Sequence, residues 1–364
     1  MLLAHKIEIR PTEEQKKYLR QCCGISRLIY NECLAYSKDL KWNKKEVFNY
    51  YQTELRNKYP FITEVSTRIS RTAVEDLENS YNRFFKKTGK FPNFKKKKLN
   101  ESFSIREKEK FKVKDRTLKI EKMKTKLKLR NKLRFNGIPK QVTVSFSGGK
   151  WFASILVETS DIKSRKPRDE VVGVDLGIKT LATLSDGNIF NNPKSFRNKE
   201  RKLNKLQKKL SRQIKNSNGY NETKLKVNKL HFYVSKQREA CLHELSTFLV
   251  SNYKVIVIEN LNVSGMLKNR KLSKSIIDAG FGMFSVMMEY KSKLYGNKLI
   301  YANTFFPSSK TCSNCGSIKK DLKLSDRVYK CDECNFEIDR DLNASINLKK
   351  LATGYSDSIN DNGV

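Results

Sequence analysis

Histidine is nearly missing from this chain of 364 residues: His5, His231 and His243 are all there are, and no H-x-H pair occurs. This argues against a strand transferase that combines a tyrosine nucleophile with a metal-binding histidine pair. Acids are scarce too, 38 Asp and Glu against 75 Lys and Arg, for a net charge of +37. Solubility does not require such an excess. A polyanionic partner does, and nucleic acid fits because each neutralised phosphate releases condensed counterions. The charge is spread over several segments, which argues against an anionic membrane surface bound through one amphipathic helix. No apolar run approaches the roughly 18 residues of a spanning helix. The opening MLLAHKIEIRPTEEQ lacks the long apolar region of a signal peptide. The expected setting is the cytoplasm, with no membrane partner.

Cysteine is present, but not as a disulfide framework. Cys22, Cys23, Cys33 and Cys241 are scattered and read as small core apolars in a reducing compartment. The other four are ordered as Cys312-x2-Cys315-x15-Cys331-x2-Cys334, the spacing of a zinc ribbon in which two knuckles close a tetrahedral thiolate site. Four sulfur ligands leave no open position, so the expected Zn²⁺ is structural. A redox C-x-x-C would need a thioredoxin-like βαβ unit, which is absent.

Residues 1–10 alternate and read as a strand, Pro11 ends it, and Thr12 to Gln15 form a capping box that opens a helical region reaching about residue 90, with Pro60 its clearest break. Aromatics there, among them Tyr30, Trp42, Phe48, Tyr50, Tyr51, Tyr81, Phe84 and Phe85, read chiefly as core. The stretch YNRFFKKTGKFPNFKKKKLN, 81–100, has no acid. Its Lys86, Lys87, Lys90, Lys95, Lys96, Lys97 and Lys98 read as a phosphate-contacting loop anchored by Phe84, Phe85, Phe91 and Phe94, with stacking of those rings on bases as the second reading. From 101 to 160 the period falls to two, and Gly148-Gly149 marks a hairpin. A small β-barrel or curled sheet is expected there, followed by a linker at 161–169.

The remainder reads as an α/β layer. EVVGVDLGIKTLATLSDG supplies a strand ending in Asp175 and then a second strand. Residues 196–250 carry long helical periodicity interrupted at Asn216 to Asn221, a helical hairpin whose basic outer face includes Lys205, Lys208 and Lys209. YKVIVIEN is an uninterrupted apolar run, a strand buried on both faces and ending in Glu259. A helix over about 272–295 and a strand over 299–302 follow. The last twelve residues, 353–364, have no Lys or Arg and read as a disordered tail.

Asp175 and Glu259 thus each terminate an apolar strand, where ligand groups gather in open α/β sheets. Carboxylates brought together there repel one another unless cations sit between them, and two hard divalent ions so held are the apparatus of in-line phosphodiester hydrolysis. The bland alternative is a lone strand-end Asp capping a loop. A third acid is offered by CDECNFEIDRDLNASINL, which holds Asp339 and Asp341. If DLNASINLKKL is a helix, Ala344, Leu348 and Leu351 form its apolar stripe and Asp341 lies on that inward face, while Asp339 is placed to cap the helix N-terminus.

GVDLGIKTLAT, IVIENLNVSGM, the SSKTCSNCG…KCDECNFEIDRDLNASINL ending and the early IEIRPTEEQ resemble the transposon-encoded TnpB (OrfB-type) proteins, relatives of type V CRISPR effectors. FPNFKKKK resembles the family's basic loop, and the resemblance runs over nearly the whole chain. It implies an RNase H-like RuvC nuclease domain at 170–310 and 339–352, a zinc ribbon inserted at 311–338, a wedge β-barrel at 1–10 and 101–160, and a helical recognition region at 11–100. It also implies RNA-guided cleavage of double-stranded DNA by a two-metal mechanism using Mg²⁺ or Mn²⁺, with Asp175, Glu259 and Asp341 as the catalytic acids. The guide RNA would come from the transposon end, and a short adjacent DNA motif would be read by the protein. Basic strips at 83–98, 106–134 and 194–215 would hold guide and heteroduplex. Two departures are small: Asn335 stands where a knuckle often has Gly, and Ser345 where the motif often has Ala. A nuclease-inactive, RNA-guided DNA-binding transcriptional regulator of the same descent is the second reading, and retention of all three acids argues against it.

Overall fold

A computed structural model describes residues 1–38, 42–97, 99–160, 169–323 and 326–360, with backbone alone for 169 and 353–360. Lys98 and the expected linker, apart from the Asp169 backbone, lie outside the described residues. The chain divides into two compact units, Met1–Asp161 with Gln213–Lys229, and Ile162–Arg212 with Leu230–Val364.

In the first unit β1 (Leu2–Ile9) leads into α1 (Glu13–Lys38). The capping box forms: Gln15 N donates to Thr12 Oγ1 at 3.3 Å, and Thr12 N to Gln15 Oε1 at 3.0 Å. The helical region continues through α2 (Lys44–Tyr50), a π-helical turn, α3 (Arg56–Lys58), a 3₁₀ turn opened by Pro60, and α4 (Thr67–Phe85). Tyr30, Tyr51 and Tyr81 are buried, with Trp42, Phe48 and Tyr50 packed against them. Phe84 and Phe85 depart from the core reading and are exposed. The strands that follow are β2 (Glu101–Ile105), β3 (Phe111–Lys114), β4 (Thr117–Ile120), β5 (Leu127–Lys128), β6 (Ile138–Ser147) and β7 (Lys150–Glu158). They make two sheets, an antiparallel β1-β7-β6-β2 and a short β3-β4-β5, and among the described residues no closed barrel. Closure would require β1 to pair with β2 across the opposite edges of the first sheet. The free edge of β1 is instead taken by the chain beside β5, through Arg10 N to Lys128 O at 3.2 Å and Arg130 N to Glu8 O at 2.9 Å.

The second unit is built on one mixed sheet, β10-β9-β8-β11-β12. β8 (Asp169–Leu176), β9 (Thr180–Leu184) and β10 (Ile189–Asn191) form an antiparallel meander, while β11 (Tyr253–Glu259) and β12 (Lys298–Ala302) run parallel to β8. The segment expected as a helical hairpin supplies α5 (Arg197–Ser211) and, from Leu230, the rest of α6 (Asn218–Asn252), whose first turns and Asn216, left-handed at φ 68°, belong to the first unit. Then come α7 (Val263–Met266), α8 (Ser273–Ala279) and α9 (Phe281–Tyr295). One helix was expected over 272–295, but Gly280 turns left-handed at φ 76° and breaks it. A side chain there would meet Arg238 Cδ at 2.9 Å and Leu242 Cδ1 at 3.0 Å, so glycine answers both the backbone and the packing. The unit ends with β13 (Val328–Lys330), β14 (Glu337–Asp339) and α10 (Arg340–Asn360). Helical backbone is assigned through Asn360, and residues 361–364 lie outside the described set.

β11 is buried on both faces, as its unbroken apolar run requires. Ile256 and Ile258 pack with Leu242, Leu245 and Leu249 of α6 and Phe284 and Met288 of α9. Val257, on the other face, packs with Leu348 of α10. α10 comes closer still to β8. A Cβ on Gly173 would lie 2.0 Å from the Ser345 carbonyl oxygen and 2.4 Å from Lys349 N, so the helix backbone rests directly on the strand. Gly173→Ala is therefore expected to push α10 off β8, destabilising the protein by about 1–3 kcal/mol. Denaturant unfolding checks this, and an unchanged midpoint would overturn the contact.

Candidate active site and metal centre

Val174 pairs with Ile258 in the parallel ladder of β8 and β11, so Asp175 and Glu259 leave adjacent strands at the same level, at their carboxyl ends. Alternation then fixes the face. Asp175 is two residues beyond Gly173 and Glu259 two beyond Val257, so both carboxylates point to the side covered by α10. Asp341 sits one turn before Ser345, the residue whose carbonyl lies on Gly173. All three are half-buried. Burial raises the Asp175 pKa well above the carboxylate range, and the Glu259 and Asp341 charges push it further; Arg340 opposes this. Burial raises Glu259 as well, against a hydrogen bond from Ser308. Asp339 does a different job. Its exposed carboxylate accepts from Asp341 N at 2.9 Å and Leu342 N at 3.0 Å, capping α10.

A second set of contacts ties Glu259 to the cysteine region. Ser308 Oγ donates to Glu259 Oε1 at 2.8 Å, and the Ser308 carbonyl accepts from Asn347 Nδ2 at 2.8 Å. Asn347 also donates to Thr311 O at 2.6 Å, and Asn343, one turn earlier, donates to the same oxygen at 2.7 Å. Asn343 Oδ1 accepts from Ser313 N at 2.9 Å. Both amides are buried and bond the backbone of the loop that enters the first knuckle. Sequence reasoning missed this pair, although two Asn at i and i+4 beside the apolar Ala344 and Leu348 were its signal.

The four cysteine sulfurs all lie within 4.8 Å of one another, the one such ligand cluster among the described residues; the three carboxylates do not close to that spacing. Cys315 and Cys331 are 3.6 Å apart and Cys312 and Cys334 3.7 Å. A tetrahedron with Zn–S bonds of 2.3 Å has edges of about 3.8 Å, so the cage has the size zinc needs. Ser317 Oγ lies 3.1 Å from both Cys315 and Cys331, and its hydrogen bond is the main cause lowering the Cys331 thiol to about 6. Asn335 adopts φ 55°, a left-handed position that explains why the second knuckle favours glycine and why asparagine is accepted.

Comparison with known proteins agrees with this layout. Residues 154–270 match the OrfB/IS605 family described as "Probable transposase", 281–348 the "Cas12f1-like, TNB domain", and 1–45 the OrfB/IS605 "Helix-turn-helix domain". A Streptomyces pristinaespiralis protein named "Putative RNA-guided DNA endonuclease" is 34% identical over 99% of this chain and 91% of its own length. The Escherichia coli K12 protein "Putative RNA-guided DNA endonuclease InsQ" is 30% identical over 98% of this chain and 93% of its own. This chain belongs to the TnpB family. A Cas12f1–sgRNA–target DNA complex aligns over 96% of this chain and 99% of its own, at 15% identity and a TM-score of 0.37, too distant to add to the argument.

Of the lysines marked on this TnpB chain, Lys86, Lys87, Lys90, Lys96 and Lys97 are exposed, as are Lys205, Lys208 and Lys209 on α5. Lys95 is engaged: its ammonium lies 3.8 Å from the Tyr30 ring centroid and 3.8 Å from Asp76. The loop is pinned at Lys95, whose backbone N–H donates to Asn31 Oδ1 at 2.7 Å while its carbonyl accepts from Asn31 Nδ2 at 2.9 Å. Phe84, Phe85, Phe91 and Phe94 are 38–56% exposed, yet Phe91 meets the buried Tyr81 ring edge-on at 5.6 Å and Phe84 at 5.3 Å, so phenylalanine contacts and Asn31 together hold the loop.

Two measurements test the site. The raised folded pKa of Asp175 means that the folded protein without divalent ions binds that proton more tightly than the unfolded chain. The resulting cost is absent below the unfolded value of about 3.9 and grows as pH climbs through the folded one. Asp175→Asn should therefore raise the melting temperature at pH 7 in magnesium-free buffer, by about 2–4 °C for each kcal/mol relieved, and leave it unchanged near pH 3. Added Mg²⁺ should stabilise the unsubstituted protein alone. A variant no more stable at pH 7 would remove the electrostatic argument. Separately, elemental analysis should find one zinc per chain and Cys331→Ser should abolish it; undiminished zinc would refute the cage.

Proposed function

We propose that this TnpB-family chain is an RNA-guided DNA endonuclease, a metal-dependent hydrolase of the phosphodiester bonds of double-stranded DNA. The observation that carries the reading is the registered pair Asp175 and Glu259 at neighbouring strand ends, with Asp341 placed over them by α10. Those carboxylates offer oxygen ligands alone, the donor set of Mg²⁺ or Mn²⁺, and their mutual repulsion is relieved by cations between them. A pair of such ions would supply an activated water and a stabilised leaving oxygen for in-line displacement. The residues themselves hold the ligand oxygens in place: Asp175 and Glu259 through the rigid sheet, Asp341 through the capped first turn of α10.

The relatives' names support a guide RNA and a DNA target as partners. In this reading the guide derives from the transposon end, base pairing selects the sequence, and the protein reads backbone and a short adjacent duplex motif. The first unit would serve as wedge and recognition region, the second as the RuvC-like nuclease with its zinc ribbon. The exposed lysines of 86–97 and of α5 supply phosphate contacts. No helix among the described residues is long and apolar enough to cross a membrane.

Asp175→Ala, Glu259→Ala and Asp341→Ala should each lower plasmid cleavage by the RNA-loaded protein at least about 10³-fold while leaving the amount of copurified RNA unchanged. An Asp341 variant that cuts at the original rate would sink that assignment, and full cutting by the triple variant would sink the mechanism.

A further inference from the structure

Phe305 is 91% exposed, the most exposed aromatic among the large hydrophobic side chains in the described residues. It does not hang on a loose loop. Its N–H donates to Asn303 Oδ1 at 3.1 Å, and the next residue, Phe306, donates its N–H to Asn303 O at 2.9 Å. Phe306 turns inward and packs against the core of Val257, Ala302 and Leu348. Ser308 N donates to Phe306 O at 2.9 Å, Ser308 Oγ holds Glu259, and Asn347 holds the Ser308 carbonyl. The loop between β12 and the first cysteine knuckle is thus pinned before and after Phe305. One of the pins is a candidate catalytic acid. An apolar ring is held out in water three residues before Ser308, the residue that holds Glu259, with its ordering cost already met by the fold.

From this geometry we infer that Phe305 is a stacking platform for an unpaired base of the DNA strand being cut, next to the scissile phosphate. The inference rests on the nuclease reading and deepens it, by naming how the strand is positioned. A base in duplex has both faces covered, whereas an unpaired one offers a face to an aromatic ring whatever its identity. The substrate feature recognised is therefore an unstacked nucleobase and not a sequence. Phe305 acts through position, and it holds no proton and no metal.

The test uses the RNA-loaded full chain in two arms. In an Asp175→Ala background, single-stranded DNA oligonucleotides with 2-aminopurine scanned along their length should show quenching at one or two positions. Quenching should vanish in Asp175→Ala/Phe305→Ala, persist with Phe305→Trp, and fall with Phe305→Leu, which keeps bulk without a π face. In the cleavage-competent protein Phe305→Ala should lower kcat/KM for cutting by about 5- to 30-fold, with rescue by Phe305→Tyr. Because the ring is exposed, these variants should melt at the unsubstituted temperature. Cutting by Phe305→Ala at the unsubstituted rate overturns the proposal. So does a change confined to sedimentation, which would mark the ring as a contact between copies of the chain. A protein that cuts nothing while quenching still depends on Phe305 would fail the nuclease reading and leave the stacking platform standing.

Discussion

The contact on which the candidate site depends is backbone against strand: α10 resting on β8 at Gly173, where a Cβ would come within 2.0 Å of the Ser345 carbonyl. Any side chain at that position would hold the helix away and carry Asp341 with it. The contact also sets the face, because strand alternation places Asp175 on the side of Gly173 and Glu259 on the side of Val257. Three acids separated by 84 and 82 positions in the chain become one electrostatic group through one residue without a side chain.

That group is unfavourable by itself. Burial and mutual charge raise Asp175, and burial raises Glu259, so the fold stores a demand for positive charge at the carboxyl ends of β8 and β11. Apart from Arg340, the excess of 37 positive charges is of little help at such short range, because lysines spread over the surface are screened and distant. Compact divalent ions are the efficient answer. In the proposed function, surface charge and site charge would address different parts of the same polyanion, the lysines its backbone and the acids its scissile bond.

Around this centre the cysteine ribbon does more than cap a helix. The chain entering its first knuckle carries Ser308 on Glu259, and Asn343 and Asn347 hold that chain at Ser308, Thr311 and Ser313. An ion ordering the four thiolates would therefore also order the segment that holds Glu259. The coupling is short and made of directed hydrogen bonds to buried amides, which tolerate little displacement.

The sequence by itself determined the features that depend on spacing along the chain. Two C-x-x-C knuckles, strands ending in acids, the capping box at Thr12 and the helix bearing Asp341 all rest on local periodicity or short loops, and each was legible. It also separated Asp339 from Asp341, since one residue inside a helix changes the face by about 100°. Only the tertiary structure decided the rest. The sheets of the first unit do not close, because β1 meets the chain beside β5 and not β2. The helix over 272–295 breaks because Gly280 must clear Arg238 and Leu242. The basic loop is held by Asn31 as well as by the contact of Phe91 with Tyr81. Each of these turns on which distant segment arrives at a given surface, a long-range packing outcome that periodicity does not encode.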